Sequence, residues 1–142
     1  MKVQDVMTKK LISVSPEENA CVAARLLSHY NIGALPVCTK DGKLRGMVTD
    51  RDIVLRCVAA EEDPQTTRVK DIMTRRVFSV TSEESLDGAS ALMAREKVRR
   101  LPVEANNRIV GMVSLSDITK HSQDPAGSLS TLNQISENVR MY

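Results

Sequence analysis

The chain has 142 residues and a mass of 15.7 kDa. That is enough to bury its own core without disulfides or metal. Lys plus Arg number 20 against 18 for Asp plus Glu, a net charge of +2, and the balance is the same on either side of Val69. That excludes a protein that coats nucleic acid through counterion release. Aromatic residues are 2% with no Trp, which excludes a base-stacking platform for single strands.

An internal repeat orders the chain. Val3-Gln4-Asp5-Val6-Met7-Thr8 recurs as Val69-Lys70-Asp71-Ile72-Met73-Thr74, an offset of 66. The same offset relates Ile12-Ser13-Val14 to Phe78-Ser79-Val80, and Leu35-Pro36-Val37 to Leu101-Pro102-Val103. It falls to 65 where Gly46-Met47-Val48-Thr49 matches Gly111-Met112-Val113-Ser114. One residue is lost between Val103 and Ile109, which places a turn there. In chain order, Ile12–Val14 is a short β-branched strand. Ser15…Glu18 and Thr81…Glu84 have capping-box spacing and predict a helix start, with Pro16 in the first helical position. Ala20, Ala23, Ala24 and Leu27 follow at helical spacing, as do Leu86, Ala89, Ser90 and Met93. These helices run to about Tyr30 and Glu96. Strand Ala34–Cys38, a turn at Lys40-Asp41-Gly42-Lys43, strand Leu44–Thr49 and a helix over about Asp50–Ala60 complete the first copy. The second copy gives strand Arg100–Glu104, turn Asn106-Asn107, strand Ile109–Ser114 and helix Leu115–His121. Beyond Asp124-Pro125, Leu129, Leu132, Ile135 and Val139 predict an amphipathic helix that packs on its own module or a partner subunit, with a frayed terminus as the alternative. The expected boundaries are residues 1–62, 63–121 and a tail at 122–142. The expected fold is α+β: two β-α-β-β-α motifs packed sheet to sheet about a pseudo-twofold axis, with two related clefts.

Several motifs stand in the same order twice. Gly46-Met47-Val48-Thr49-Asp50-Arg51-Asp52-Ile53 and Gly111-Met112-Val113-Ser114-Leu115-Ser116-Asp117-Ile118 resemble the signature of CBS domains, the cystathionine-β-synthase-type regulatory modules that occur in tandem. Ile32-Gly33-Ala34-Leu35-Pro36-Val37 and Val98-Arg99-Arg100-Leu101-Pro102-Val103 are similar to the family's second-strand motif. The resemblance covers residues 1 to 121, and the whole is similar to a small stand-alone bacterial member. It implies the β-α-β-β-α fold. It also implies adenosine-containing ligands (AMP, ADP, ATP or S-adenosylmethionine) and disc-like dimers. By this resemblance Asp52 and Asp117 hold ribose, while Thr49 and Ser114 contact phosphate or ribose.

The Thr/Ser-x-x-Asp element has its own physical logic. It lies where a strand hands over to a helix, whose free N–H groups suit a phosphate. A carboxylate has two acceptor oxygens for neighbouring ribose hydroxyls. The same spacing is also a capping box, and spacing alone favours the cap. The resemblance implies phosphate contacts from basic residues at Arg99 and Arg100, where the first copy has Gly33 and Ala34, and the planar fork of Arg fits phosphate oxygens. Arg51 is a further candidate, matched by Leu115 in the second copy. These differences predict unequal clefts, one taking a more highly phosphorylated ligand. Gly33 and Ala34 are small enough for a purine to lie against. Lys10, Ile12 and Phe78 complete the candidate ligand-binding set, although a solvated lysine and two core residues are the plainer readings.

Catalytic signals are absent from the sequence: no GxSxG, Walker loop or HExxH, and only His29 and His121. No cofactor is required, and Mg²⁺ is expected only if a nucleotide carries it. Cys21, Cys38 and Cys57 form no CxxC pair and read as small buried hydrophobes. No segment reaches the ~18 apolar residues of a membrane span, and the first residues hold no secretory signal, so a cytoplasmic protein with no membrane or nucleic-acid partner is expected. The expected function is a non-catalytic sensor of an adenine nucleotide that forms a homodimer and acts on an unknown regulated protein. The alternative is a dimerisation or partner-docking module without a nucleotide. A redox-responsive module using Cys38 or Cys57 is a third reading.

Overall fold

The structure is a computed structural model that describes residues 1–121 and 125–137. In chain order its elements are α1 (Val3–Val6), α2 (Ala20–Tyr30), β1 (Ala34–Cys38), β2 (Leu44–Thr49) and α3 (Asp50–Ile53), which runs into a π-helical turn at Val54–Val58. Then come α4 (Val69–Ile72), β3 (Val80–Thr81), α5 (Leu86–Glu96), β4 (Arg100–Ala105), β5 (Arg108–Ser114), α6 (Leu115–His121) and α7 (Pro125–Glu137). The content is mixed, as an α+β fold requires. The chain divides into two compact units. One is Ile12–Val77, and the other joins Met1–Leu11 to the chain from Phe78 onward. Sequence repeat and compact unit therefore do not coincide: the segment that opens each copy folds with the other copy's strands.

In the Ile12–Val77 unit, β1 and β2 pair antiparallel with Ala34 opposite Thr49 and Leu35 opposite Val48. The hairpin turns at Gly42, whose φ of 83° falls in the region open to glycine. Val14 adds a parallel bridge on the outer side of β1, its amide donating to the Pro36 carbonyl at 3.1 Å and its own carbonyl accepting from Cys38 at 2.9 Å. The expected strand Ile12–Val14 is thus reduced to this one residue. On the far side of β2, Met47 and Thr74 exchange two backbone hydrogen bonds, at 2.9 and 2.7 Å. The other unit repeats the plan. β3 pairs parallel with β4, β4 pairs antiparallel with β5, and Thr8 exchanges 2.8 and 3.1 Å bonds with Met112. Asn106 and Asn107, both with positive φ, make its tight hairpin turn.

The helices start later than the capping-box spacing predicts. The side chain of Asn19 caps α2 by accepting from the Val22 amide at 2.9 Å, and Ser85 caps α5 by accepting from Gly88 at 3.0 Å. Ser15 and Glu18 instead close a turn, with the Glu18 amide on the Ser15 carbonyl at 3.2 Å. The reason lies in the partners of this turn. The Pro16 and Glu18 carbonyls accept from Lys70 and Val69 at 3.0 and 2.8 Å, and Ser82 and Glu84 accept from Gln4 and Val3 at 3.1 and 2.8 Å. These carbonyls dock the short helices α4 and α1, so they are not free to begin a helix of their own. The same docking is pinned by charge. Lys2 pairs with Glu83 at 2.8 Å, and at the matching positions Arg68 pairs with Glu17, which also takes Lys70 at 3.3 Å.

Each unit has its own core. Leu35, Val37, Val48, Val69 and Ile72 are buried in one, and Val3, Met93, Leu101, Val103 and Val113 in the other. Cys38 and Cys57 are buried and Cys21 is half-buried. Helix α7 adds Ile135 to the second core, and the Thr131 hydroxyl meets that of Ser90 at 2.9 Å. The tail helix therefore packs on its own module. Leu129 and Leu132 are exposed, and Val139 lies outside the described residues.

The Gly-Met-Val-Thr/Ser motif needs its glycine for a steric reason. A Cβ on Gly46 would lie 2.6 Å from the Thr74 carbonyl oxygen, and one on Gly111 2.7 Å from that of Thr8. Gly46→Ala and Gly111→Ala should each destabilise by about 1–3 kcal/mol through overpacking. Gly33→Ala, whose Cβ would meet nothing closer than 3.8 Å, should be near neutral. Urea unfolding of the three variants checks this, and equal losses would refute it.

The ion pairs give a pH dependence with a defined sign. Hydrogen bonds from Arg68 and then Lys70 hold the Glu17 carboxyl below its ordinary 4.5. Its stabilisation is present above that value and lost as pH falls through the lower, folded one. The Glu83 hydrogen bond raises Lys2 above 10.5, so that contribution is present below 10.5 and lost at higher pH. Both pairs are exposed, so the effect is small and salt-sensitive. Glu17→Gln should flatten the acid limb of a stability–pH profile at low salt and leave the alkaline limb unchanged.

Candidate functional site

Each unit carries one Thr/Ser-x-x-Asp element at the end of its central hairpin. In the Ile12–Val77 unit, β2 ends at Thr49 and α3 begins. The Asp52 amide donates to Thr49 Oγ1 at 2.9 Å, and the Thr49 amide donates to Asp52 Oδ2 at 3.1 Å. In the other unit the Asp117 amide donates to Ser114 Oγ at 3.1 Å, and the Ser114 amide to Asp117 Oδ2 at 2.9 Å. Both elements are therefore complete capping boxes. Each carboxylate spends one oxygen on its own cap. What the second oxygen does decides whether the group is open to anything else.

The two differ on that point. Asp52 is 4% exposed and Thr49 is fully buried. The Thr74 hydroxyl lies 3.2 Å from both carboxylate oxygens of Asp52, and Arg56 Nη1 lies 3.8 Å from Oδ1. The same Arg56 nitrogen donates to the Ile72 and Met73 carbonyls at 3.1 Å each, closing the end of α4. Asp117 and Ser114 are half-buried. Among the described residues, Asp117 Oδ1 accepts no hydrogen bond. Thr8, which matches Thr74, is exposed, and His121, which matches Arg56, places Nδ1 3.0 Å from the Asp117 carbonyl oxygen.

The strand register sets the remaining candidates beside these elements. Ala34 stands opposite Thr49, and the Gly33 carbonyl accepts from the Asp50 amide at 3.1 Å. Arg100 stands opposite Ser114, and the Arg99 carbonyl accepts from Leu115 at 2.7 Å. The fold thus gathers Gly33, Ala34, Thr49, Arg51 and Asp52 at one hairpin end, and Arg99, Arg100, Ser114 and Asp117 at the other. Arg51 and Arg99 are exposed and Arg100 is half-buried. Ile12 and Phe78 are half-buried and pack against the cores of their own units, and Lys10 is exposed in the unit that holds Asp117. Thr74 and Arg56 were not singled out by sequence reasoning. Their signals were there: Thr74 closes the repeated opening motif, and Arg56 is one helical turn after Asp52. An open groove of about 490 Å³ lies at the opposite end of the β4–β5 hairpin, lined by Thr81–Glu83 and Glu104–Asn107, away from Ser114 and Asp117.

The CBS domain family matches this chain twice, over residues 3–58 and 69–124. The chain is 42% identical over 131 residues to a CBS domain-containing protein of Bacillus subtilis, YhcV, covering 91% of this chain and 92% of that one. Its fold superposes with a TM-score of 0.79 on the crystal structure of Hypoxic Response Protein I with two coordinated zinc ions, at 34% identity, covering 86% of this chain and 99% of that one. It matches the CBS domain pair of protein MJ0100, in complex with 5′-methylthioadenosine and S-adenosyl-L-methionine, with a TM-score of 0.73 at 29% identity, covering 85% and 94%. Stand-alone proteins of this kind are typically regulatory rather than catalytic. The doubled signature, the two half-units built from it and these relatives place the chain in the CBS domain family, as a tandem pair.

Proposed function

We propose that this CBS pair is a non-catalytic regulatory module that binds an adenosine-containing small molecule through Asp117. The observation that carries the reading is the Oδ1 of a half-buried carboxylate, which accepts no hydrogen bond among the described residues and is set at the same hairpin end as Arg99 and Arg100. A carboxylate whose orientation is fixed by its cap accepts well from the two neighbouring hydroxyls of a ribose. The Ser114 hydroxyl donates beside it. Arg99 and Arg100 supply cations for a phosphate, or leave room for the sulfur substituent of a nucleoside such as S-adenosylmethionine. The MJ0100 pair, a structural relative bound to two such adenosine compounds, supports the class of ligand. The zinc of Hypoxic Response Protein I is not carried over, because the described residues contain no cluster of three or more His, Cys, Asp or Glu suited to a metal. Mg²⁺ enters only on a nucleotide. Signalling follows by population shift, the ligand favouring the arrangement to which it binds more tightly.

A second reading, dimerisation or partner docking without a nucleotide, draws on one observation. Val54, Leu55 and Val58 are exposed on the helical stretch after Asp52, where lone apolar residues would need no explanation but a cluster does. A homodimer fits either reading. No helix among the described residues is long and apolar enough to cross a membrane.

Thermal unfolding with AMP, ADP, ATP, S-adenosylmethionine and 5′-methylthioadenosine separates the two. A ligand at 100 times its Kd stabilises the native state by about 2.7 kcal/mol, which is a shift of several degrees. At least one compound should give it, and Asp117→Asn should cut it to about half or less. No shift with any of them would sink the nucleotide reading. Val54→Glu with Val58→Glu should lower the sedimentation coefficient if that face joins two copies.

A further inference from the structure

Asp52 and Asp117 occupy matching places in the two copies, yet only one is already engaged on all sides. Asp52 receives the Thr49 amide and the Thr74 hydroxyl, with the Arg56 guanidinium beyond, and is almost entirely buried. Thr74 is at once the residue whose backbone completes the sheet beside Met47. Arg56 reaches from the π-helical turn to the last two carbonyls of α4, those of Ile72 and Met73. A π-helical turn inside a helix is frequently found at functional sites, and Arg56 lies within the one at Val54–Val58. At the matching positions of the other unit, Thr8 makes no hydrogen bond to Asp117 among the described residues, and His121 contacts the Asp117 backbone rather than its carboxylate.

We propose that Thr74 and Arg56 hold Asp52 as a latch that fastens the α4 segment to its sheet, so that the pair offers one ribose-binding carboxylate, Asp117, and takes one adenosine-type ligand per chain. The inference rests on the function proposed above and narrows it. Recruiting Asp52 to a ligand would require stripping a buried carboxylate of the Thr74 hydroxyl, and a charge-assisted hydrogen bond is not given up without a comparable replacement. Recruiting Asp117 Oδ1 breaks no hydrogen bond among the described residues. Asp52, Thr74 and Arg56 are positioning residues on this reading, and the two copies of one motif have separate duties.

Isothermal titration of the full chain with the compound that shifts its melting gives the first test. The expected stoichiometry is one per chain. Asp117→Asn should weaken binding about tenfold or more, as expected for loss of a hydrogen bond to a charged group. Thr74→Val, which removes only the hydroxyl, should leave stoichiometry and affinity unchanged while lowering the urea midpoint. A stoichiometry of two, or a loss of binding in Thr74→Val equal to that in Asp117→Asn, overturns the proposal.

Amide hydrogen exchange tests the latch without any ligand. Thr74→Val and Arg56→Gln should speed exchange at Met73 and Thr74, and Asp117→Asn should leave exchange at Met7 and Thr8 unchanged. Equal acceleration in both segments overturns the asymmetry even if every nucleotide fails to bind. One-site binding together with unequal exchange upholds it.

Discussion

The close approach of a threonine carbonyl to a glycine governs the rest of this structure. Thr74 lies against Gly46, and Thr8 against Gly111, at distances a β-carbon would not permit. In each unit two backbone hydrogen bonds beside that contact extend a short hairpin by one more strand residue. A two-stranded hairpin is marginal in water. The bridge at Val14 or β3 on one edge, and the threonine on the other, turn it into a sheet with a face that a helix can cover. The methionine before each threonine follows into the fold, Met73 into the core and Met7 half-buried against it. Here sequence acts through sterics first. A glycine allows backbone pairing, backbone pairing fixes a threonine, and only then does a hydroxyl come within reach of Asp52.

The second step shows why one motif has two outcomes. A capping box uses one carboxylate oxygen and leaves the other to its surroundings. In the first copy those surroundings are a threonine hydroxyl, an arginine and near-complete burial, and a buried carboxylate left without such partners would be costly. In the second copy α6 presents His121 where the first has Arg56, and β5 ends on Ser114 where β2 ends on Thr49. Asp117 is half-buried there, beside a smaller hydroxyl side chain and a ring aimed at its backbone carbonyl. The backbone pairing of Thr8 with Met112 is nearly the same as that of Thr74 with Met47, so the difference lies in side chains and not in the sheet.

Much of this was legible in the sequence, for physical reasons that can be named. The repeat exposed both hairpins, because Asp-Gly and Asn-Asn turns punctuate short apolar strands. It also placed both Thr/Ser-x-x-Asp elements at strand ends. The helix starts were misread because Ser15…Glu18 has the spacing of a cap, while the carbonyls around it serve helices some fifty to eighty residues away in the chain. No local pattern reports such a partner. The four-residue helices α1 and α4 were invisible for the same reason: too short to show a period, they exist because the Ser82–Glu84 and Pro16–Glu18 turns receive their amides. In α7 the inward stripe is Thr131 and Ile135, one turn apart, whereas the leucines that drew attention point outward. A polar residue can face a core when a hydroxyl such as that of Ser90 meets it.

The arithmetic of regulation favours a site of this size. A ligand shifts a conformational equilibrium only by its differential affinity for the two states. Moving a population from 1:99 to 99:1 takes about 5.5 kcal/mol. Hydrogen bonds to charged groups contribute about 1.5–3 kcal/mol each. Two ribose hydroxyls on Asp117 and one phosphate on Arg99 or Arg100 reach that total if all three form in one state alone. On the proposed function the contacts would come from Arg99 and Arg100 at the start of β4, the end of β5 and the start of α6, which meet where Arg100 stands opposite Ser114. A ligand there would tie the two strands of one hairpin to the helix that follows it. Its whole binding energy would depend on their being in register, which is the condition under which binding becomes a signal.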